Sequence, residues 1–97
     1  MLELLRLDHF AGCLNQSFRA ALNDGDIEFV LVEAQPLPAS MPGAARDPFS
    51  LVFRNGSPLL FPQQIYRMSH ERIGAFDIFL VPIARDREGF LYQAVFN

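Results

Sequence analysis

Two stretches near the C-terminus decide the fold class: Ala75-Phe76-Asp77-Ile78-Phe79-Leu80-Val81-Pro82-Ile83 and Phe90-Leu91-Tyr92-Gln93-Ala94-Val95-Phe96. Both are rich in β-branched and aromatic residues, and Ala84-Arg85-Asp86-Arg87-Glu88-Gly89 lies between them. A polar turn ending in glycine between two such runs reads as an antiparallel hairpin. In the second run Phe90, Tyr92, Ala94 and Phe96 fall on one side, which is the two-residue period of a strand. The first run is apolar on both sides. Phe79, Val81 and Ile83 oppose Phe76, Ile78 and Leu80.

The same period recurs upstream. Ile27 to Ala34 sets Ile27, Phe29 and Leu31 against Val30 and Val32. Phe49, Leu51 and Phe53 oppose Ser50, Val52 and Arg54, and Tyr66, Met68 and His70 oppose Ile65, Arg67 and Ser69. Asn23-Asp24-Gly25-Asp26 and Asn55-Gly56 are turn signals, because these residues tolerate positive φ. The N-terminal third reads two ways. Phe10, Cys13, Leu14, Phe18, Ala21 and Leu22 fall at helical spacing after a candidate N-cap, Asp8, which gives one helix over 9–22. Ser17 to Asn23 also alternates, which makes it the first arm of a hairpin turning at Asp24-Gly25.

Two irregular segments stand out. Residues 35–48 hold four prolines and a glycine and form a long loop. Ser57-Pro58-Leu59-Leu60-Phe61-Pro62 is bracketed by prolines and is expected to lie across the core as a lid. With strands that are apolar on both faces, one short helix and a lid are hard pressed to wrap everything. Each Phe, Val or Leu left uncovered forgoes roughly 1.5–3 kcal/mol. That imbalance points to a protein partner or to self-association.

Composition bounds the rest. The chain has 97 residues, enough for one domain (1–97), and is 51% hydrophobic and 20% charged. Every cationic side chain except histidine is an arginine, so lysine Schiff-base chemistry and a phosphate-gripping P-loop lysine are excluded. A net charge of −3 argues against nucleic acid or an anionic membrane as partner. The longest apolar run, Ile78 to Ala84, is far shorter than the roughly 20 residues of a spanning helix. An acid near the N-terminus, Glu3, stands where a signal peptide carries positive charge, and a cytoplasmic protein is expected. Cys13 is the lone cysteine.

No residue set earns a catalytic, cofactor-binding or metal-binding assignment. His9 and Cys13 would share a helical face, but no further ligand lies nearby in sequence, and Cys13 occupies an apolar position. His70-Glu71 reads as a turn. Asp86 and Glu88 lack the ligand spacing of a calcium loop, and so do Asp24 and Asp26. Arg54, Tyr66 and Arg67 as a strip would suit a single nucleic-acid strand, a use the acidic balance disfavours. Arg54 and Arg67 fit better as outward charges paired with Glu28, Glu33 or Asp77.

Leu7-Asp8-His9-Phe10, Asp47-Pro48-Phe49-Ser50-Leu51-Val52-Phe53-Arg54, Ile65-Tyr66-Arg67-Met68-Ser69-His70, Phe79-Leu80-Val81-Pro82-Ile83 and the closing Tyr92-Gln93-Ala94-Val95-Phe96-Asn97 together resemble a family of small uncharacterised bacterial proteins carried as a domain of unknown function. The family has no activity to carry over. Some members are encoded near phage-tail-collar-like proteins, which implies assembly with, or chaperoning of, a fibre protein. The resemblance also implies a strand over 17–23. The chain departs from the family pattern at Asn15, where a glycine is expected.

The expected fold is therefore mainly β: a small antiparallel barrel or curled sheet of about six strands, with a short helix near 8–14 and a hairpin of 17–23 with 26–34. The expected function is a non-catalytic protein-interaction module that binds a protein partner or itself, by sheet-edge addition or through an apolar patch. Pro38, Met41, Leu59, Leu60 and Phe61 are the expected contact residues. The alternatives are a structural or chaperone-like subunit of a phage-tail-like or surface-fibre system, and a small enzyme or ligand-binding barrel using His9 or His70.

Overall fold

The computed structural model describes residues 5–38 and 47–97. Met41 and the middle of the proline-rich loop lie outside the described residues. One short helix, α1 (Leu7–Ala11), precedes β1 (Ser17–Leu22), β2 (Gly25–Pro36), β3 (Phe49–Asn55), β4 (Gln64–His70), β5 (Gly74–Asp86) and β6 (Gly89–Phe96). The strands close into an antiparallel barrel in the order β1-β2-β3-β6-β5-β4. Most neighbours pair along much of their length. The closing seam is the exception: β1 meets β4 only at Arg19↔Ser69, Ala20↔Met68 and Ala21↔Arg67.

Local chemistry explains the turns and bends. The β5–β6 turn closes at Asp86↔Gly89, and Glu88 N–H donates to Asp86 Oδ1 at 2.9 Å. Gly89 has φ +139°, and a Cβ there would run into the Asn55 carbonyl oxygen, so only glycine fits. The pairing register shifts between Leu31 and Glu33 on β2, and between Pro82 and Ala84 on β5. Such bulges bend strands enough to close a small barrel, and a bulge is where a proline such as Pro82 is tolerated inside a sheet.

The N-terminal third is a short helix followed by a hairpin, as the family pattern implies, and not one helix over 9–22. The helix ends at Ala11, earlier than expected, and turns follow to Asn15. Its N-cap is Arg6 rather than Asp8. His9 N–H donates to the Arg6 carbonyl at 3.0 Å, and Arg6 N–H donates back to His9 Nδ1 at 2.8 Å. Asn15 has φ 65°, so it holds the left-handed conformation for which a glycine was expected, and asparagine tolerates that region best among the larger residues. Asn15 N–H donates to the Leu31 carbonyl at 2.7 Å and Leu31 N–H to the Gln16 carbonyl at 3.1 Å, which carries the chain into β1.

The barrel interior is filled by the expected inward set, including Phe18, Phe29, Leu31, Leu51, Phe53, Met68, Ile78, Leu80 and Tyr92. Phe10 of α1 plugs one end. Its ring lies 6.2 Å from Phe18, 6.0 Å from Phe49, 5.7 Å from Phe76 and 5.9 Å from Phe96. On the outer surface Val30, Val32 and Val81 are half-buried. Ile65 and Phe79, which face each other across β4 and β5, remain 67% and 48% exposed, and Val95 on β6 is 52% exposed. Part of the outer apolar surface is thus left bare among the described residues.

Candidate functional site

The end of the barrel opposite Phe10 is crossed by residues 56–63, the segment expected to be a lid. Its backbone is fixed to the barrel at three points, Ser57, Phe61 and Pro62, and braced within itself at Leu59. Asn55 starts it: its Oδ1 accepts Ser57 N–H at 2.9 Å, and its Nδ2 donates to the Glu28 carbonyl at 2.7 Å. Leu59 N–H donates to Ser57 Oγ at 3.1 Å. Phe61 N–H donates to the Tyr92 hydroxyl at 2.9 Å, and the Tyr66 hydroxyl donates to the Pro62 carbonyl at 2.5 Å. Both tyrosines are buried in the barrel, where a hydroxyl needs a partner. The lid backbone supplies it. Burial, with a smaller contribution from the neighbouring Tyr92, raises the Tyr66 phenol above its ordinary range and keeps it a hydrogen-bond donor.

This clamp divides the apolar lid residues by role. Phe61 turns inward, half-buried, with its ring 6.5 Å from Phe29. Leu59 and Leu60 stay outside, 67% and 57% exposed. A groove of about 440 Å³ opens beside them, with Leu22, Ile27, Leu59 and Phe61 along its floor and walls. Asp24, Asp26 and Glu28 border it, and among the described residues no cationic side chain lines it. Of the expected contact residues, Leu59 and Phe61 line this groove, and Leu60 stands exposed on the lid between them. Pro38 is exposed just after β2, and Met41 lies outside the described residues. The contribution of Leu22, Ile27 and the acidic tip was not read from sequence. The Asn23–Asp26 turn was visible, but only the strand order puts it at the same end as the lid.

The histidines serve the backbone. His70 Nδ1 accepts Arg72 N–H at 3.0 Å and Ile73 N–H at 3.4 Å, which leaves Nε2–H to donate to Gln16 Oε1 at 2.7 Å. Its ring lies 4.5 Å from that of Phe18. A second hollow, about 370 Å³, lies beside it between Ser17, Arg19, Glu28 and Glu71. Cys13 is fully buried, and its thiol donates to the His9 carbonyl at 3.6 Å rather than to the imidazole.

Arg67 pairs with Asp77 at 3.2 Å, as its cross-strand position suggests. Arg54 does not reach Glu28 or Glu33. It stands opposite Leu91 on β6, close to the β5–β6 turn, and binds Asp86 at 2.7 Å and Glu88 at 3.5 Å. The hydrogen bond from Arg54 holds the Asp86 carboxyl below the usual carboxylate range. Tyr66 points inward, so no Arg–Tyr–Arg strip exists on the surface.

Residues 5–96 match the model of the family described as domain of unknown function DUF6916, and the chain belongs to that family. No curated protein and no solved structure matches it.

Proposed function

From membership in a family without an assigned activity, we propose that the chain is a non-catalytic protein-interaction module that docks a protein partner at the lid end of the barrel. One observation carries the proposal: Leu59 and Leu60 are held out into solvent by a backbone that is itself fixed to buried tyrosines and to Asn55. Loops that bear large apolar residues usually turn them inward, and this one turns in only Phe61. Burying each leucine against a partner is worth roughly 1.5–3 kcal/mol. A loop already fixed by the barrel loses little conformational freedom on binding, so more of that gain survives as affinity. Strand addition is the weaker of the two expected modes, because closure leaves no full-length sheet edge.

The test is affinity capture from the cells of origin, with wild-type chain and a Leu59→Ser/Leu60→Ser variant as parallel baits. Retention of a protein by the wild type and its loss from the variant supports the reading. Equal retention of every captured protein overturns it. A second reading, self-association through the outer face, is favoured by the bare Ile65–Phe79 pair and Val95. Sedimentation velocity over a range of concentrations separates the two. A dimer that a Phe79→Ser variant abolishes supports self-association.

A further inference from the structure

We infer that the partner segment seated in the lid-end groove is basic as well as aliphatic, an apolar stretch flanked by arginine or lysine. This rests on the docking reading above and adds the chemistry of the occupant. The groove combines two features that a purely apolar ligand does not satisfy together. Its floor is aliphatic and aromatic, from Leu22, Ile27, Leu59 and Phe61. Its border carries Asp24, Asp26 and Glu28, with no cation in the lining among the described residues. Among the described residues, Arg19 lies 3.8 Å from Asp26, in a pair that is exposed on both sides and therefore weak, and it stands opposite the exposed Glu28 in the β1–β2 register.

Covering this border with a neutral apolar segment would strip water from carboxylates and give them nothing in return. An acidic segment would add repulsion. An arginine or lysine suits both parts: its alkyl stem lies on the apolar floor and its charged head meets the border. The net charge of −3 extends the attraction beyond contact and favours encounter with a basic partner.

The test uses the full chain as target and a library of random displayed peptides as probe. Selected peptides are then titrated by fluorescence anisotropy against wild type, Leu59→Ser/Leu60→Ser, and Asp24→Asn/Asp26→Asn/Glu28→Gln. Urea midpoints of the variants confirm that they fold. The inference expects the selected peptides to interleave arginine or lysine with leucine, isoleucine or valine. It also expects binding to weaken by about tenfold in the charge-neutralised variant, a few-fold for each exposed pair, and to fall as salt rises. Peptides that need Leu59 and Leu60 but are uncharged, or are indifferent to the three neutralised carboxylates, overturn the inference and leave the docking reading standing. Peptides that ignore Leu59 and Leu60 overturn both. A dimer of the chain that dissolves in the charge-neutralised variant makes the occupant a second copy and also overturns the inference.

Discussion

Replacing Tyr92 with Phe removes one oxygen and keeps the ring, including its edge-on contact with Phe29 at 5.2 Å. What is lost is the acceptor for Phe61 N–H. A buried donor left without an acceptor costs roughly 1–3 kcal/mol. Phe61 is half-buried, so water reaches its amide in part, which puts the expected loss at about 1–2 kcal/mol. Tyr66→Phe frees the Pro62 carbonyl, on an exposed residue, and should cost less, about 0.5–1 kcal/mol. Because the two phenols hold adjacent residues, releasing one loosens the grip of the other, and the double variant should depart from the sum of the singles. Urea unfolding reads the first number. With a slope of about 1–3 kcal/mol per molar, Tyr92→Phe should lower the midpoint by about 0.3–2 M. Amide hydrogen exchange reads the location, since the Phe61 amide should exchange slowly in wild type and much faster in the variant. A Phe61 amide that already exchanges freely in wild type would show that the lid is not clamped, and the rigid display of Leu59 and Leu60 would fail with it.

Three further outcomes follow from the packing and the titrating groups. Phe10→Ala empties the plug among four phenylalanine rings and should cost about 3–5 kcal/mol by urea denaturation; a loss under about 1 kcal/mol would contradict the plug. Gly89→Ala should destabilise more than Gly25→Ala: both positions have positive φ, but only at Gly89 does a Cβ strike backbone, and equal melting temperatures would refute that contrast. Stability should also fall in alkali. The unfolded chain releases the tyrosine proton near the ordinary value of 10.0, whereas the folded chain holds the Tyr66 proton to higher pH, so this group contributes no pH dependence below about 10 and destabilises increasingly above it. Tyr66→Phe should flatten that alkaline decline in chemical denaturation, and an unchanged slope would show that Tyr66 is not its source.

The strands were legible because their two-residue period is local. Phe49, Leu51 and Phe53, or Tyr92 and Ala94, announce an inward face without reference to anything distant. The lid was legible for a similar reason, as three large apolar residues between prolines. Features set by long-range pairing were not. That Phe61 enters the barrel while Leu59 and Leu60 stay out depends on where the hydroxyls of Tyr66 and Tyr92 emerge. The choice of Arg54 for Asp86 depends on the β3–β6 register. The acidic tip became part of a groove only because the turn from the end of β1 to the start of β2 lies beside the lid. The helix boundary was missed for a local reason: the helix stops at Ala11 with Gly12 as its C-cap, and side-chain spacing that runs on to Leu14 does not show that stop.

The brevity of the β1–β4 seam has its own consequence. A cylinder comes apart at the join held by the fewest rungs, and here three residue pairs close the ring. Transient parting at that join would turn the cylinder into an open sheet and bare the backbone of β1 on one margin and of β4 on the other. Two molecules caught in that state could each lend a margin to the other. Crowded or warm solutions should therefore accumulate interlocked pairs whose join runs through Arg19, Ala20 and Ala21.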